Sequence, residues 1–153
     1  MAENKSGLEI VPLEISDLDA VFKLDQVCFP KEQAFPRRLF ALLLKSPDCL
    51  ALGIKDKGKL AGFVIAQAVN PQKALLVTLD IAEAYRRRNL GKKLLDVIDI
   101  FFSSRGFKSM TLEVDVGNHS AIRLYEKLGY KRVCLKQKYY PDGADAFQME
   151  KQF

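Results

Sequence analysis

The sequence Tyr85-Arg86-Arg87-Arg88-Asn89-Leu90-Gly91-Lys92-Lys93-Leu94-Leu95 decides the fold, because it leads from an apolar run through a cationic turn into an amphipathic helix. The preceding run, residues 74–81, is typical of a buried strand. Backbone N–H groups in the first turn of a helix have no intrahelical acceptor and lie at the positive end of the helix dipole. The segment therefore predicts an anion-binding turn, and the alternative is a basic helix start exposed to solvent.

Length and composition restrict the class of protein. The 153 residues fit a single domain, 1–153, and 48% apolar with 28% charged residues is the balance of a globular protein. The net charge of +5 suits an anionic ligand without choosing among nucleotides, nucleic acids and acidic peptides. No run approaches the length of a membrane span, and Met1 to Gly7 lacks the apolar core of a signal peptide. We therefore expect a cytoplasmic protein that does not contact a membrane.

The cysteine and histidine content makes metal and disulfide chemistry unexpected. Cys28, Cys49 and Cys134 lie at long, unrelated spacings, and His119 is the only histidine. We expect no structural disulfide and no metal site. A catalytic Cys–His pair would require the fold to bring together residues that no motif connects.

Strand and helix patterns alternate along the chain and predict an α/β fold with the order βααβββαβαββ. Ser16 or Asp17 would cap the first helix, Asn118 would cap the last, and Gly106 and Gly129 would end two helices in the left-handed conformation. The predicted strands are 8–13, 50–54, 60–69, 74–81, 110–114, 131–139 and 146–153, and the predicted helices are 18–29, 35–44, 90–105 and 119–128. The strand–helix–strand unit from Leu75 to Val114 should be parallel, which places the arginine turn at the carboxyl end of a strand.

This order, together with the arginine turn, resembles the GNAT superfamily of acetyl-CoA-dependent N-acetyltransferases over nearly the whole chain. The turn of that family reads Arg/Gln-x-x-Gly-x-Gly/Ala; Arg86 and Gly91 match its ends, and Asn89 stands where the first glycine is usual. Asparagine tolerates left-handed backbone angles better than other non-glycine residues, so the turn can be kept. The resemblance implies a central mixed sheet with a splayed parallel pair of strands, flanked by helices.

Three downstream motifs resemble the RimI branch of ribosomal-protein alanine N-acetyltransferases and the catalytic subunits of N-terminal acetyltransferases. They are Leu112-Glu113-Val114, the series Asn118, Ala121-Ile122, Leu124-Tyr125, Leu128-Gly129-Tyr130, and the segment 139–146 with Met149. The resemblance implies transfer of an acetyl group from acetyl-CoA to the α-amino group of a protein N-terminus by direct attack. The acceptor would be a protein or peptide, with a ribosomal protein among the candidates.

The resemblance also implies which residues bind acetyl-CoA, and it implies that no metal cofactor is needed. They are Leu79, Ile81, Arg86, Arg87, Arg88, Asn89, Leu90, Gly91, Lys92 and Asn118. The turn amides would hold the pyrophosphate, while Leu79 and Ile81 would pair through their backbone with the pantetheine amides. Asn118 can serve as a helix cap alone, or as a cap that also contacts pantetheine.

Two residues are the candidates for proton transfer. In the family the residue matching Glu113 is the general base and the residue matching Tyr125 is the general acid. An α-amino group, with a pKa of roughly 7.7–8.0, loses its proton far more easily than lysine at roughly 10.4. Glu113 can also be read as a surface residue on the polar face of its strand, and Tyr125 as a core aromatic. Asp80 could meet a cationic substrate or serve structure, and we assign it no catalytic role.

Aromatic residues are the candidates for the acceptor cleft. Tyr139 and Tyr140 precede the turn Pro141-Asp142-Gly143, and the matching family residues contact the substrate. Of the two, we rank Tyr139 above Tyr140 as the residue that contacts the substrate. Phe29 and Phe35, in the loop between the first two helices, would form the opposite wall. The family commonly has Trp at the Phe35 position, so the preferred first residue of the acceptor stays open.

Three other functions are compatible with the sequence. The same fold could acetylate a small amine or a lysine side chain, or could bind an acyl-CoA without transferring the acyl group. Arg37, Arg38 and the Arg86 to Arg88 run could instead contact nucleic-acid phosphates, although no nucleic-acid-binding motif accompanies them, and we do not expect that partner. The sequence leaves the natural acceptor, the oligomeric state and the need for a partner subunit open.

Overall fold

The computed structural model describes residues 7–153, so most of the segment in which we expected no signal peptide lies outside the described residues. The strands are β1 (Leu8–Pro12), β2 (Cys49–Asp56), β3 (Lys59–Ala68), β4 (Lys73–Ile81), β5 (Ser109–Asp115), β6 (Lys131–Lys136) and β7 (Ala146–Gln152). The helices are α1 (Leu18–Cys28), α2 (Arg37–Lys45), α3 (Leu90–Ser104) and α4 (His119–Lys127), with short 3-10 turns at Ile15–Asp17 and Glu83–Tyr85. The predicted order βααβββαβαββ is confirmed.

All seven strands form one mixed sheet in the order β1-β2-β3-β4-β5-β7-β6. Every neighbouring pair is antiparallel except β4 and β5, which are parallel and pair only at Lys73–Ser109, Ala74–Met110 and Leu75–Thr111. Because both strands continue well beyond these pairs, their carboxyl-terminal halves separate and leave a gap in the middle of the sheet. The predicted splayed parallel pair is therefore confirmed.

A β-bulge in β4 changes which side chains face each side of the sheet. Ile65 of β3 pairs with Thr78 and Ala66 pairs with Leu76, so Val77 is an extra residue in β4. Leu76 and Leu79, three residues apart, consequently pack on the same core, whereas Val77 packs on the other. The bulge thus redirects the end of β4 that borders the gap.

The two faces of the sheet carry separate apolar cores. On one face α3 and α4 contribute Leu94, Ile98 and Tyr125 to a cluster with the sheet. On the other face α1 and α2 contribute Val21 and Phe40, which pack on the inner residues of β3. Both faces are covered, so the gap between β4 and β5 opens between two layers of helices. No helix within residues 7–153 has the length and apolarity that crossing a membrane requires.

Several element ends differ from the sequence prediction for identifiable reasons. Asp17 does not cap α1: its carboxylate accepts from the N–H of Glu14 at 2.8 Å and from Lys55 Nζ at 2.7 Å. Helix α2 starts at Arg37, two residues later than predicted, because Pro36 is its extended N-cap and a residue before proline avoids the helical region. Strand β6 ends at Lys136 rather than residue 139, because the left-handed Lys138 (φ 50°) breaks it.

Two glycines end helices as the sequence predicts. Gly106 follows α3 with φ 86°, and Gly129 follows α4 with φ 99°. Both values lie in the left-handed region, where glycine has no steric cost. The chain can therefore turn from each helix into the next strand within a few residues.

We expect Phe40→Ala to lower the free energy of unfolding by about 3–5 kcal/mol, because the substitution leaves a cavity in a packed core. Phe40 is fully buried, and its ring lies 5.9 Å from those of both Phe35 and Phe63. Leu42→Ala is the matched control on the same helix, since Leu42 is 63% exposed. Urea denaturation measures both values, and equal losses would contradict this account of the core.

Candidate functional site

The gap between β4 and β5 opens into a cavity of about 800 Å³. Its walls are the carboxyl-terminal halves of both strands, the end of α1 with the segment that follows it, the beginning of α3, and α4. Within residues 7–153 no group of three His, Cys, Asp or Glu side chains is arranged to hold a metal ion. The cavity has two chemically different ends, one cationic and one aromatic.

The cationic end is the beginning of α3. Arg87 (φ 64°) and Asn89 (φ 59°) are both left-handed, as the sequence led us to expect at Asn89. Asn89 is the N-cap, but its side chain makes no capping hydrogen bond. The N–H groups of Leu90, Gly91 and Lys92 thus lie in the first turn of the helix, where they have no intrahelical acceptor. This end of the cavity is suited to an anion.

Gly91 sets how closely α3 approaches its neighbours. A Cβ atom at this position would lie 3.2 Å from Cδ2 of Leu124 and 3.4 Å from Cδ2 of Leu79. The absence of a side chain lets the helix start pack between α4 and β4. The turn is thereby held at the edge of the gap.

Only two of the three consecutive arginines line the cavity. Arg86 is anchored by a hydrogen bond from its Nε to the carbonyl oxygen of Ile81 at 3.1 Å, and Arg87 also lines the wall. Arg88 lies outside the lining, with its guanidinium 5.3 Å from the centre of the Tyr85 ring. Arg86 and Arg87 therefore supply charge at this end, while the role we expected for Arg88 stays a prediction.

Glu113, the candidate base, lies on β5 at the wall of the cavity. Its Oε1 is 2.8 Å from Nζ of Lys136 on β6, and its side chain is 18% exposed. The hydrogen bond to Glu113 raises the pKa of Lys136. Glu113 is accordingly a half-buried, ion-paired carboxylate beside the gap rather than a solvated surface residue.

Tyr125, the candidate acid, is both a core aromatic residue and a residue of the cavity wall. It is buried on the apolar face of α4, with its ring 5.6 Å from that of Tyr130, and it also lines the cavity. Burial, with a smaller effect of the Asp80 charge, raises the pKa of its hydroxyl. The phenol is therefore protonated at neutral pH and has a proton to donate.

Asn118, Leu79 and Ile81 also line the cavity. The side-chain oxygen of Asn118 accepts a hydrogen bond from the N–H of Ala121 at 3.3 Å, so the residue caps α4. Leu79 and Ile81 pack their side chains on the core shared with α3 and α4. Their contact with a ligand stays a prediction.

The aromatic end of the cavity is lined by Phe29, Phe35 and Tyr140. Tyr139 is 45% exposed, lies outside the lining, and stacks edge-on against Tyr140 with ring centres 4.9 Å apart. The sequence favoured Tyr139 over Tyr140 as the substrate contact. The structure places Tyr140 in the cavity wall and Tyr139 outside it, and a substrate contact of either residue stays a prediction. Burial raises the pKa of the Tyr140 hydroxyl.

Sequence reasoning missed the bridge that Gln33 makes across this end. Its Nε2 donates to Oδ2 of Asp115 at 2.7 Å and to Oδ2 of Asp142 at 3.2 Å. The three residues belong to the α1–α2 segment, the end of β5 and the β6–β7 loop. No sequence motif joins such distant positions, so only the folded structure brings them together.

A second feature that the sequence did not predict is a pair of buried carboxyl groups. Asp25 of α1 and Asp80 of β4 are each 1% exposed. Oδ2 of Asp25 accepts from the N–H of Phe35 at 2.7 Å, and Oδ1 of Asp80 accepts from the hydroxyl of Thr78 at 2.6 Å. Asp80 thus serves the structure rather than meeting a substrate directly.

Cys28 lines the cavity but is a poor nucleophile. Its Sγ lies 3.5 Å from the carbonyl oxygen of Ile81. Burial, together with the nearby Asp80 charge, raises the pKa of this thiol to about 11. His119 is not among the residues that line the cavity, so the site contains no Cys–His pair.

Residues 18–130 match the Acetyltransferase (GNAT) family. The chain is 33% identical over 134 residues to the [ribosomal protein bS18]-alanine N-acetyltransferase of Escherichia coli, covering 86% of each chain. The crystal structure of the corresponding Escherichia coli enzyme aligns with a TM-score of 0.83 at 32% identity, covering 95% of this chain and 93% of that one. The N-alpha-acetyltransferase of Sulfurisphaera tokodaii is 28% identical over 162 residues, with 97% and 96% covered.

We expect alkylation of Cys28 by iodoacetamide to be slow at neutral pH and to accelerate by about tenfold per pH unit, because only the thiolate reacts. The acceleration should level off near the thiol pKa of about 11. Cys134, which is exposed, serves as the internal control in the same sample. Mass spectrometry of peptides containing each cysteine measures both rates, and faster reaction of Cys28 at neutral pH would contradict the assignment.

Proposed function

This chain belongs to the Acetyltransferase (GNAT) family, and from that premise we propose that it transfers the acetyl group of acetyl-CoA to the α-amino group of a protein N-terminus. The observation that carries the proposal is the single cavity that joins an anion-binding helix start, a carboxylate and an aromatic acceptor end. The Escherichia coli relative acts on an alanine of ribosomal protein bS18, so a ribosomal protein is an acceptor of the proposed kind. Residues 1–153 would form one catalytic domain acting in the cytoplasm.

The cationic end of the cavity fits the pyrophosphate of acetyl-CoA. The first-turn N–H groups of α3 belong to Leu90, Gly91 and Lys92. They have no hydrogen-bond acceptor within the helix and are free to donate to a phosphate oxygen. Arg86 and Arg87 add positive charge beside them. Acetyl-CoA supplies the activated thioester; the protein binds its charged half at this turn and directs the acyl end into the gap between the strands.

The splayed strands suit an extended, amide-containing arm. Backbone groups of β4 beyond Leu75 have no partner on β5, because the parallel pairing ends there. Leu79 and Ile81 can offer these groups to the pantetheine amides, as an added strand would do. Asn118 lies at the opposite wall, on the N-terminus of α4.

Glu113 is the residue proposed to remove the proton from the acceptor amine, directly or through one bridging water. An amine attacks only in its neutral form, and an α-amino group with a pKa of roughly 7.7–8.0 reaches that form more easily than lysine at roughly 10.4. Lys136 holds the Glu113 carboxylate in place at 2.8 Å. The positive charge of Lys136 also disfavours a second cation at the site, which promotes loss of the amine proton.

Tyr125 is proposed to assist the departing thiolate. Its raised pKa keeps the hydroxyl protonated. A thiolate whose conjugate acid has a pKa of roughly 8.5 is a fair leaving group already, so Tyr125 stabilises it by a hydrogen bond rather than by complete proton transfer. The contribution of this hydroxyl should therefore be smaller than that of the Glu113 carboxylate.

Direct attack by the amine agrees with the state of the cavity thiol. Cys28, with a pKa of about 11, is protonated at neutral pH and gives no thiolate for an acyl-enzyme.

Phe29, Phe35 and Tyr140 are proposed to wall the acceptor peptide. Two of the basic residues considered for nucleic acid make contacts within the protein: Arg37 pairs with Asp19 at 2.6 Å, and Arg88 lies over Tyr85.

A peptide library tests the proposed acceptor. We expect peptides with a free N-terminus to be acetylated on the α-amino group, and the same sequences with a blocked N-terminus and an internal lysine to be acetylated far more slowly, because of the difference in amine pKa. Small amines serve as a further control. Mass spectrometry locates the acetyl group, and equal acetylation of lysine in the blocked peptides would contradict the proposal.

We expect Glu113→Gln to lower kcat by about a hundredfold, because the amide cannot accept the proton. Affinity for acetyl-CoA, measured by calorimetry, should change little, since Glu113 is not among the residues proposed to bind the cofactor. Tyr125→Phe is the comparison variant and should lower kcat by about tenfold or less. Unchanged turnover in Glu113→Gln would remove this residue from the mechanism.

A further inference from the structure

The buried carboxyl pair lies between the core of the sheet and the wall of the acceptor cavity. Asp25 lines the cavity from α1, and Asp80 lies behind it on the bulged half of β4. The N–H of Phe35 donates to Asp25 at 2.7 Å, and Phe35 is one of the aromatic residues of the acceptor end. The pair is therefore one link between β4 and the segment that walls the acceptor.

In each carboxyl group one oxygen accepts a hydrogen bond, and the other oxygen has no donor. Within the described part of the chain, Oδ1 of Asp25 and Oδ2 of Asp80 have no conventional hydrogen-bond donor, although both atoms are buried. The side chains of Asp25 and Asp80 lie within hydrogen-bonding reach of each other. Two buried carboxylates at this separation would repel each other, and two bare oxygens would each be left unpaired. A single proton between them removes both costs, because one carboxyl then donates to the other.

The geometry points to Asp25 and Asp80 sharing one proton and so acting as positioning residues that hold the Phe35 segment on β4 and set the acceptor wall. This inference rests on the proposed function for its effect on catalysis, but not for the shared proton itself. Asp25 and Asp80 do not touch the reacting atoms. They act through Phe35, whose ring also packs edge-on against Phe40 at 5.9 Å.

Among residues 7–153, the groups around the pair do not supply a compensating cation. From α1 and β4 the neighbours are Cys28 and the Thr78 hydroxyl, and from α4 the neighbour is the Tyr125 phenol. Phe63 of β3, which pairs with Asp80, is apolar. Arg86 is occupied by the Ile81 carbonyl oxygen at 3.1 Å. Burial accordingly raises the pKa of Asp25, and burial and Asp25 together raise that of Asp80 well above its ordinary value.

The direction of the pH effect follows from the shared proton. A carboxyl whose pKa is higher in the folded protein than in the unfolded chain binds its proton more strongly when folded. Its stabilising effect is therefore present at low pH and is lost as pH rises through the folded-state pKa. Above that pH the pair carries two charges, and repulsion separates α1 from β4. We expect the Phe35 segment to loosen on the alkaline side.

The shared proton is tested in the protein without substrates. NMR of protein labelled with ¹³C-aspartate and ¹⁵N follows the Asp25 and Asp80 carboxyl groups and the Phe35 amide as pH is raised. We expect a titration step displaced above the ordinary aspartate range, with the Phe35 amide changing at the same midpoint. Two independent steps at ordinary aspartate pKa values would overturn the inference.

Three variants test whether this titration step belongs to the carboxyl pair. In Asp80→Asn the amide donates permanently to Asp25, so the Phe35 amide should become independent of pH in this range. Thr78→Val removes the donor that stabilises the Asp80 carboxylate, so the midpoint should move to higher pH. Gln26→Ala is the matched control: it removes the bond from Gln26 Nε2 to the Phe35 carbonyl oxygen, at 3.3 Å, without altering the pair. The midpoint should then stay in place, and a pH-dependent Phe35 amide in Asp80→Asn would overturn the inference.

Kinetics test the positioning role separately. We expect Asp80→Ala to raise KM for the acceptor peptide by about tenfold, because Asp25 loses its partner and the wall loosens. Asp80→Asn should restore KM to within about twofold of the parent, since the amide replaces the shared proton. Acetyl-CoA affinity should be unchanged in both. If Asp80→Ala does not fold, the alkaline rise in KM of the parent, absent in Asp80→Asn, gives the same information.

The outcomes also separate this inference from the proposed function. If no peptide N-terminus is acetylated, the proposed function fails while the NMR titration still decides whether the proton is shared. If peptides are acetylated but Asp80→Asn and Asp80→Ala raise KM equally, the function holds and the positioning role is overturned.

Discussion

The early end of the pairing between β4 and β5 is the constraint on which the rest of the structure depends. Only three residue pairs join these parallel strands, at Lys73, Ala74 and Leu75 of β4. Buried backbone groups normally find hydrogen-bond partners, so a strand that loses its neighbour inside a sheet needs another one. In this fold the interruption occurs where helices cover both faces, and the gap becomes a cavity between them. A ligand with amide groups can complete the sheet there.

Elements on the two faces supply different chemistry to this gap. The α3 side offers main-chain N–H groups, whose positions depend on backbone angles at Arg87 and Asn89 and on the missing side chain of Gly91. The α1 side offers side chains, with Phe29 and Phe35 presented by the segment after the helix. The bulge at Val77 separates these roles along β4, because it directs Leu79 toward α3 while Asp80 meets α1.

The sequence predicted the elements and the cationic turn because these depend on local patterns. Asn89 is an example: its tolerance of left-handed angles is a property of the residue, and the structure places it there with φ 59°. Glu113 could be placed on the polar face of a strand from alternation alone, but its ion pair with Lys136 depends on how β6 pairs with β7. The Asp25–Asp80 pair and the Gln33 bridge join segments far apart in the chain, and no local pattern encodes them. Which of Tyr139 and Tyr140 lines the cavity could not be derived from the strand pattern, because β6 ends early at the left-handed Lys138.

The Gln33 bridge has a consequence for how such a protein can diversify. It fastens the acceptor end through two hydrogen bonds made by one neutral side chain on a loop, whereas the other end of the cavity is fixed by main-chain geometry and helix packing. A substitution at Gln33 or Asp142 can therefore reshape the opening without disturbing the core or the helix start. Natural variation can explore new acceptors at this end while the cofactor end is inherited unchanged.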